Sequence, residues 1–170
     1  MTVARHLTTE RLILRQPEAR DLAAYTAYCA SDRSRFVRGP FSEAEAFDKF
    51  AAIIGHWTLR GFGRYVMERE GHAIGHVGPL ALPAAEAPEF TWTLWDGAAE
   101  GQGFATEGAL AVKAHLLGDL GWPQMMIRIQ PDNTASCRIA ERIGAVLTDA
   151  PAPAWYPGAL TYQLMAEVAA

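Results

Sequence analysis

Hydrophobic positions along the chain fall into short stretches, some alternating every second residue and others recurring every three or four. Leu12, Ile13 and Leu14 form an apolar run followed by Arg15, Gln16 and Pro17, which predicts a first strand stopped by proline. Residues 18–30 then read as a helix. Ser42 and Glu45 stand at the spacing of a capping box, and Phe47, Phe50, Ala51, Ile54 and Trp57 follow at helical spacing. That pattern predicts a helix with one apolar face laid on a sheet. Residues 65–67 and 74–82 are strand-like and are separated by Glu70-Gly71, the punctuation of a hairpin.

Residues 90–94 alternate, with Phe90, Trp92 and Leu94 on one face and two threonines on the other, so a strand is expected. After a glycine-rich stretch, Ala105, Ala109, Val112 and Leu116 recur at helical spacing, and residues 118–123 supply turn residues that end that helix. Residues 125–130 form a further short strand, stopped by Pro131. Asn133 sits where a helix cap belongs, Ala135, Ile139 and Ile143 follow four apart, and Gly144 supplies a left-handed stop. Hairpin strands together with one strand-helix-strand step predict an α/β or α+β sandwich around a mostly antiparallel sheet. The Pro/Ala-rich residues 149–159 read as a surface loop, too short for a boundary, so residues 1–170 are expected to form a single domain.

Composition narrows the class. The chain has 170 residues, 50% hydrophobic and 20% charged, with a formal net charge of -4. A chain of this length buries enough surface to fold without disulfides or a structural metal. Cys29 and Cys137 have no partner spacing and read as buried small hydrophobes. No apolar run is long enough to span a bilayer, and the opening MTVARHLTTERL lacks the apolar stretch of a secretory signal, so a cytoplasmic protein without a membrane partner is expected. Net acidity makes nucleic acid a poor partner. His72 and His76 have no third ligand nearby, so no metal is expected. Arg138 and Arg142 lie four apart, with Arg138 assigned to solvent, and Phe36, Phe41, Trp57 and Trp155 are core by default.

The chemically informative run is Glu100-Gly101-Gln102-Gly103-Phe104-Ala105-Thr106-Glu107, which places two glycines between a strand end and a helix start. Glycines there bring backbone N–H groups close to a ligand, and the helix N-terminus adds partial positive charge, so an anion such as a phosphate finds several donors. A plain tight turn with Thr106 as helix cap is the competing reading. The run does not match a P-loop, since no lysine precedes Lys113 near the turn. It is also a poor Rossmann fingerprint, whose third glycine falls at Thr106 and whose strand should be a buried parallel run.

From Thr9-Glu10-Arg11-Leu12, through EGQGFATEG, to NTASCRIAERIGA, the chain resembles the GCN5-related N-acetyltransferases (GNAT), and within them the branch of the ribosomal-protein alanine acetyltransferases. The resemblance covers almost the whole chain. It implies a sheet of about seven strands flanked by about four helices, with acetyl-CoA as co-substrate and no metal. The family turn reads Gln/Arg-x-x-Gly-x-Gly/Ala, matched at Gly103 and Ala105, with acidic Glu100 at its first position. The resemblance implies that backbone groups over Gly101, Gln102, Gly103, Phe104 and Ala105, with the Thr106 hydroxyl, hold the diphosphate. Asn133 is implied to hold the pantetheine arm, and the acceptor groove is implied to lie between the first two helices and the late loop, lined by some of Phe36, Phe41, Trp57 and Trp155. It also implies that the strand ending at Leu94 and Trp95 splays from its neighbour, offers backbone groups to that arm, and supplies an N–H to the oxyanion.

Acetyl transfer to an amine needs a base for the ammonium, a donor for the oxyanion and a proton for the departing thiolate. Glu89, at the start of the strand leading to the turn, is the candidate base, with Glu68, Glu70 and Glu107 as competitors. Many relatives use a tyrosine as the acid, but Ala140 stands at that position. Ser136 is the hydroxyl taken as acid, with Tyr156 in the late loop as the outside candidate. The expected activity is acetyl transfer to a primary amine, either a protein N-terminus or a small molecule. A non-catalytic acyl-CoA-binding module is the alternative, and a nicotinamide-dependent oxidoreductase a third reading. Exposed sheet edges in such a fold can pair two copies into a homodimer, although no residue argues for it.

Overall fold

The computed structural model describes residues 2–82 and 86–166. Its strands are β1 (His6–Thr8), β2 (Ile13–Arg15), β3 (Tyr65–Arg69), β4 (His72–Leu80), β5 (Glu89–Leu94), β6 (Gln124–Ile129), β7 (Val146–Leu147) and β8 (Leu160–Met165). The helices are α1 (Leu22–Ala30), α2 (Glu43–Arg60), α3 (Phe104–Lys113) and α4 (Thr134–Arg142), with short 3-10 helices at Ala19–Asp21, Asp32–Val37 and Gly97–Ala99 and a π-helical stretch, Ala114–Asp119, that continues α3 through Leu116. The strands form one sheet in the order β1-β2-β3-β4-β5-β6-β8-β7. Every pairing is antiparallel except β5 with β6. This is the mixed α/β fold that the pattern predicts, with eight strands among the described residues rather than about seven. No helix among those residues is long and apolar enough to cross a membrane.

Several elements form for the local reasons the sequence displays. The hairpin between β3 and β4 turns at Glu70 and Gly71, both with positive φ, as a tight two-residue turn requires. In α2 both halves of the capping box are made, Ser42 Oγ accepting from the Glu45 N–H and the Glu45 carboxylate accepting from the Ser42 N–H. Asn133 Oδ1 caps α4 by accepting the Ser136 N–H at 3.3 Å, and Gly144 ends that helix with φ 85°.

Three expectations are corrected. The helix after the first strand begins at Leu22, because Ala19–Asp21 form a tighter turn held by Asp21 accepting the Glu18 N–H. The buried stripe of α2 is Ala46, Phe50, Ile53 and Trp57, while Phe47 is 57% exposed. Phe50 and Trp57 fit both stripes, so the apolar spacing alone left the face ambiguous by one residue. Strands β1, β7 and β8 were not anticipated. β1 and β7 are only three and two residues long, too short for a period to show.

Alternation along the strands divides the core between two layers. Tyr65, Met67, Phe90, Trp92 and Leu94 pack with Phe104, Ala109 and Val112 of α3, and with α4. Val66 and Trp95 turn the other way, against Tyr25, Tyr28, Cys29, Phe50 and Ile53 of α1 and α2. Fully burying one side chain such as Phe90 contributes about 1.5–3 kcal/mol.

Two buried histidines make stability depend on pH. The Ala81 N–H donates to His56 Nε2 at 2.9 Å while His56 Nδ1–H donates to the Phe62 carbonyl at 2.6 Å, and Trp95 Nε1–H donates to His76 Nδ1 at 3.0 Å. Desolvation holds both rings below the ordinary histidine range, His76 well below it. The unfolded chain therefore binds protons that the folded chain refuses, so this stability is complete above the ordinary histidine pKa of about 6.5 and is lost as pH falls below it. Chemical denaturation between pH 7.5 and 5 is expected to show that fall, with a shallower slope in His76→Gln. An equal slope in the variant contradicts it.

Candidate functional site

The chemistry collects where the sheet opens. β5 and β6 are in register only at Glu89 with Met126, where the Met126 N–H donates to the Pro88 carbonyl at 2.9 Å. Beyond Glu89 the two strands part. On its other edge β5 stays in ladder with β4 up to Leu94, and the Trp95 N–H donates to the Ile74 carbonyl at 2.7 Å. An antiparallel ladder turns alternate residues toward and away from its partner, so Trp92 and Leu94 direct their N–H and C=O groups into the opening beside β6. This is the splay that the resemblance implied. Of its two terminal residues, Leu94 faces the opening, whereas Trp95 spends its N–H on β4 and buries its ring in the α1–α2 layer.

The opening is the mouth of a cleft of about 1090 Å³. Of the residues singled out from sequence, Glu89, Leu94, Gly101, Ala105, Asn133 and Ser136 line it together. Gln102, Gly103, Phe104 and Thr106 do not line it. Phe104 is in the core, and Thr106 lies in the first turn of α3, where the cap is Gly103 rather than Thr106.

The turn suits an anion. Gly101 and Gly103 have φ of 73° and 82°, conformations that strain any residue with a Cβ, and a Cβ on Gly101 would project into open space. No side chain caps the start of α3, so its first N–H groups are left to a ligand. The Glu107 N–H donates to the Gly103 carbonyl at 3.0 Å, and the Glu107 carboxylate ties the turn down from outside by accepting from Thr9, the Arg11 N–H and Arg11 Nε. Burial raises the Glu107 carboxyl, but those donors outweigh it and hold the group below the usual range. It is a strut, not a base.

Glu100, the acidic departure in the turn, is neutralised by a residue the sequence gave no reason to choose. Arg33 Nη1 lies 2.9 Å from its carboxylate, and Arg33 Nη2 donates to the Leu94 carbonyl at 2.8 Å. One guanidinium therefore joins the turn to the end of β5. Its Nε is buried with no hydrogen-bond partner.

Glu89 stands at the apex where β5 leaves β6, its side chain 15% exposed, with Arg128 Nη1 3.1 Å from Oε2. Burial pushes its carboxyl above the usual range, and Arg128 and Arg64 only partly offset that. A carboxylate with a raised pKa in a cleft is suited to accept a proton near neutral pH. Among its competitors, Glu68 is bound by Arg15 at 2.6 Å in an ion-pair cluster behind β2, and Glu70 is in the exposed hairpin turn.

Two hydroxyls flank the cleft. Ser136 Oγ accepts from Trp92 Nε1–H at 3.3 Å, which leaves its own proton free to be given. Tyr156 commits its proton to the Phe36 carbonyl, and burial raises its pKa. Its ring stacks on Trp155 at 5.5 Å and 3°, so the late loop, Phe36 and Trp155 form a wall of the cleft, the alternative to core that the groove implied for some of these aromatics. Phe41 packs at the edge of the α1–α2 layer and Trp57 is buried, as their apolar character predicts. Arg138 is exposed. Cys29 is buried and Cys137 half-buried. His72 is exposed and His76 buried, and among the described residues no three metal-ligating side chains come together.

The chain was compared with known proteins. A family model described as Acetyltransferase (GNAT) domain matches residues 11–146. A crystal structure of an acetyltransferase from Agrobacterium tumefaciens strain C58 is 32% identical, with a TM-score of 0.86 over 96% of this chain and 96% of that one. RimL, a ribosomal L7/L12 alpha-N-protein acetyltransferase in complex with coenzyme A, is 18% identical with a TM-score of 0.74, covering 97% and 98% of the two chains. The microcin C7 self-immunity acetyltransferase, in complex with acetyl-CoA and AMP, is 14% identical with a TM-score of 0.73, covering 92% and 93%. The last two show the fold alone. No curated protein matches the chain.

Proposed function

This chain belongs to the GNAT acetyltransferase family and is an N-acetyltransferase, and we propose that it uses acetyl-CoA to acetylate a primary amine by direct attack within the β5–β6 cleft, as a single domain over residues 1–170. The observation that carries this reading is the parting of β5 from β6 at Glu89, which brings a buried carboxylate, free strand N–H groups and an uncapped helix start to one opening.

The residues fit the co-substrate. The N–H groups from Gly101 to Thr106 would hold the diphosphate, and the Trp92 and Leu94 backbone with the Asn133 amide would hold the pantetheine arm. Acetyl-CoA, when bound, supplies the acetyl thioester. Glu89 accepts the proton of the ammonium so that the amine presents a lone pair. The Leu94 N–H, directed into the opening, would stabilise the negative charge that grows on the carbonyl oxygen. Ser136 would donate a hydrogen bond to the departing sulfur, and the proton that the nitrogen sheds as the amide forms would end on the thiol, which leaves the serine hydroxyl unchanged. A protein N-terminus, the acceptor in RimL's name, or a small amine is the acceptor proposed for the cleft of about 1090 Å³. Amine-dependent release of free thiol from acetyl-CoA tests this reading. Release with at least one primary amine is expected, and coenzyme A binding without release on any amine would favour the binding module instead.

Arg33 provides a test of cofactor affinity. Arg33→Gln leaves the Glu100 carboxylate unpaired beside the diphosphate turn, and calorimetry is expected to show coenzyme A affinity falling about fivefold, the scale of one charge screened by solvent. Combining it with Glu100→Gln is expected to restore most of the loss, because the repelling charge is gone. Equal losses in the single and double variants contradict this account.

A further inference from the structure

We propose that the acceptor amine is carried by an anionic molecule, its amine flanked by carboxylates as in an acidic amino acid or the acidic N-terminal end of a peptide. The inference rests on the transferase reading above and names the acceptor chemistry for that same cleft.

The cleft is lined by Arg33, Arg35, Arg38, Lys49 and Arg128, against only Glu89 and Glu100. This excess of cations lies in a chain whose formal net charge is -4. Both carboxylates are already partnered, Glu89 by Arg128 and Glu100 by Arg33. Arg35, Arg38 and Lys49 make no ion pair among the described residues. Arg35 lies over Phe36 and Lys49 over Phe41, at 4.4 and 4.2 Å, and Arg38 donates to the Trp155 carbonyl. Glu45, one turn before Lys49, is spent on the cap of α2.

Their place in the fold separates them from the diphosphate. Arg35 lies in the short 3-10 helix Asp32–Val37, Arg38 directly after it and Lys49 in α2. That segment and α2 belong with the layer covering the face of β5 that carries Glu89, Thr91 and Thr93. α3, whose start would bind the diphosphate, packs on the opposite face with Phe90, Trp92 and Leu94. The Thr91 hydroxyl on the acceptor face is buried without a hydrogen-bond partner. The three cations act in two ways. They attract an anionic acceptor, and they favour the neutral form of its amine, which is the form that reacts.

The test uses three tetrapeptides that share a free N-terminal alanine and differ in carrying two central aspartates, asparagines or lysines, together with free aspartate. Binding to the coenzyme A-loaded protein is measured by calorimetry, and transfer by thiol release. The aspartate peptide or free aspartate is expected to bind about tenfold more tightly than the asparagine peptide, with a ratio that shrinks in 0.5 M salt by about the screening expected of exposed charges. R35Q/K49Q, and K49Q alone, change exposed side chains and are expected to reduce the ratio while coenzyme A affinity is unchanged. Equal binding in the wild type, or a preference that the double variant retains, overturns the proposal. Tight acidic binding without acetyl transfer supports the anionic site and counts against the acetylation reading. Preferential transfer to the lysine peptide does the reverse.

Discussion

Replacing Glu89 by Gln is expected to lower kcat for amine acetylation by about 10²- to 10³-fold, the usual contribution of a positioned general base. The amide keeps the shape but cannot take the ammonium proton. Coenzyme A affinity is expected to be unchanged, because Glu89 stands at the apex of the strand opening rather than at the diphosphate turn. The pH profile supplies the sign. Burial raises the Glu89 carboxyl, so wild-type kcat falls as pH drops through a value above the ordinary carboxylate range, and that acid limb should vanish in the variant. An unaltered kcat with an unaltered limb removes Glu89 from the reaction. Arg128 keeps an acceptor but loses its partner's charge in this variant, so a melting curve is needed to show that the fold survives.

The second large effect concerns the scaffold. Gly75 lies in β4 opposite Leu94, where an added Cβ would meet the Thr93 carbonyl oxygen at 2.2 Å and the Leu94 Cα at 3.0 Å. Both are backbone atoms and cannot rotate away. Gly75→Ala must therefore push β5 off β4, at a cost of about 3 kcal/mol or more. For a domain of this size that lowers Tm by about 10 °C. Because β5 holds its free N–H groups toward the cleft only while its other edge is in ladder with β4, coenzyme A affinity should fall as well. Retention of both Tm and affinity would show that the cleft does not depend on that pairing.

Much of this arrangement was legible before any coordinates. The alternation at residues 90–94, the helical spacing from Ala105 to Leu116 and the Asn133 cap each reflect local chemistry, and each lies where the pattern put it. The glycine turn was readable because left-handed backbone leaves a compositional mark. What escaped notice depended on distant partners. Arg33 reaches Glu100 and Leu94, and Arg128 reaches Glu89, across long stretches of chain, and an arginine carries no sign of which carboxylate it will meet. Thr106 shows the converse, a residue whose type suggests a cap although Gly103 takes that position. The wrong α2 stripe has the same root, since an apolar spacing that suits two adjacent faces is settled only by the sheet it meets.

A crystal structure of the protein with coenzyme A is expected to place the diphosphate on the N–H groups between Gly101 and Thr106 and the sulfur between the Leu94 N–H and Ser136. A diphosphate seated elsewhere, such as on Arg11 and Arg69 outside the turn, would contradict it.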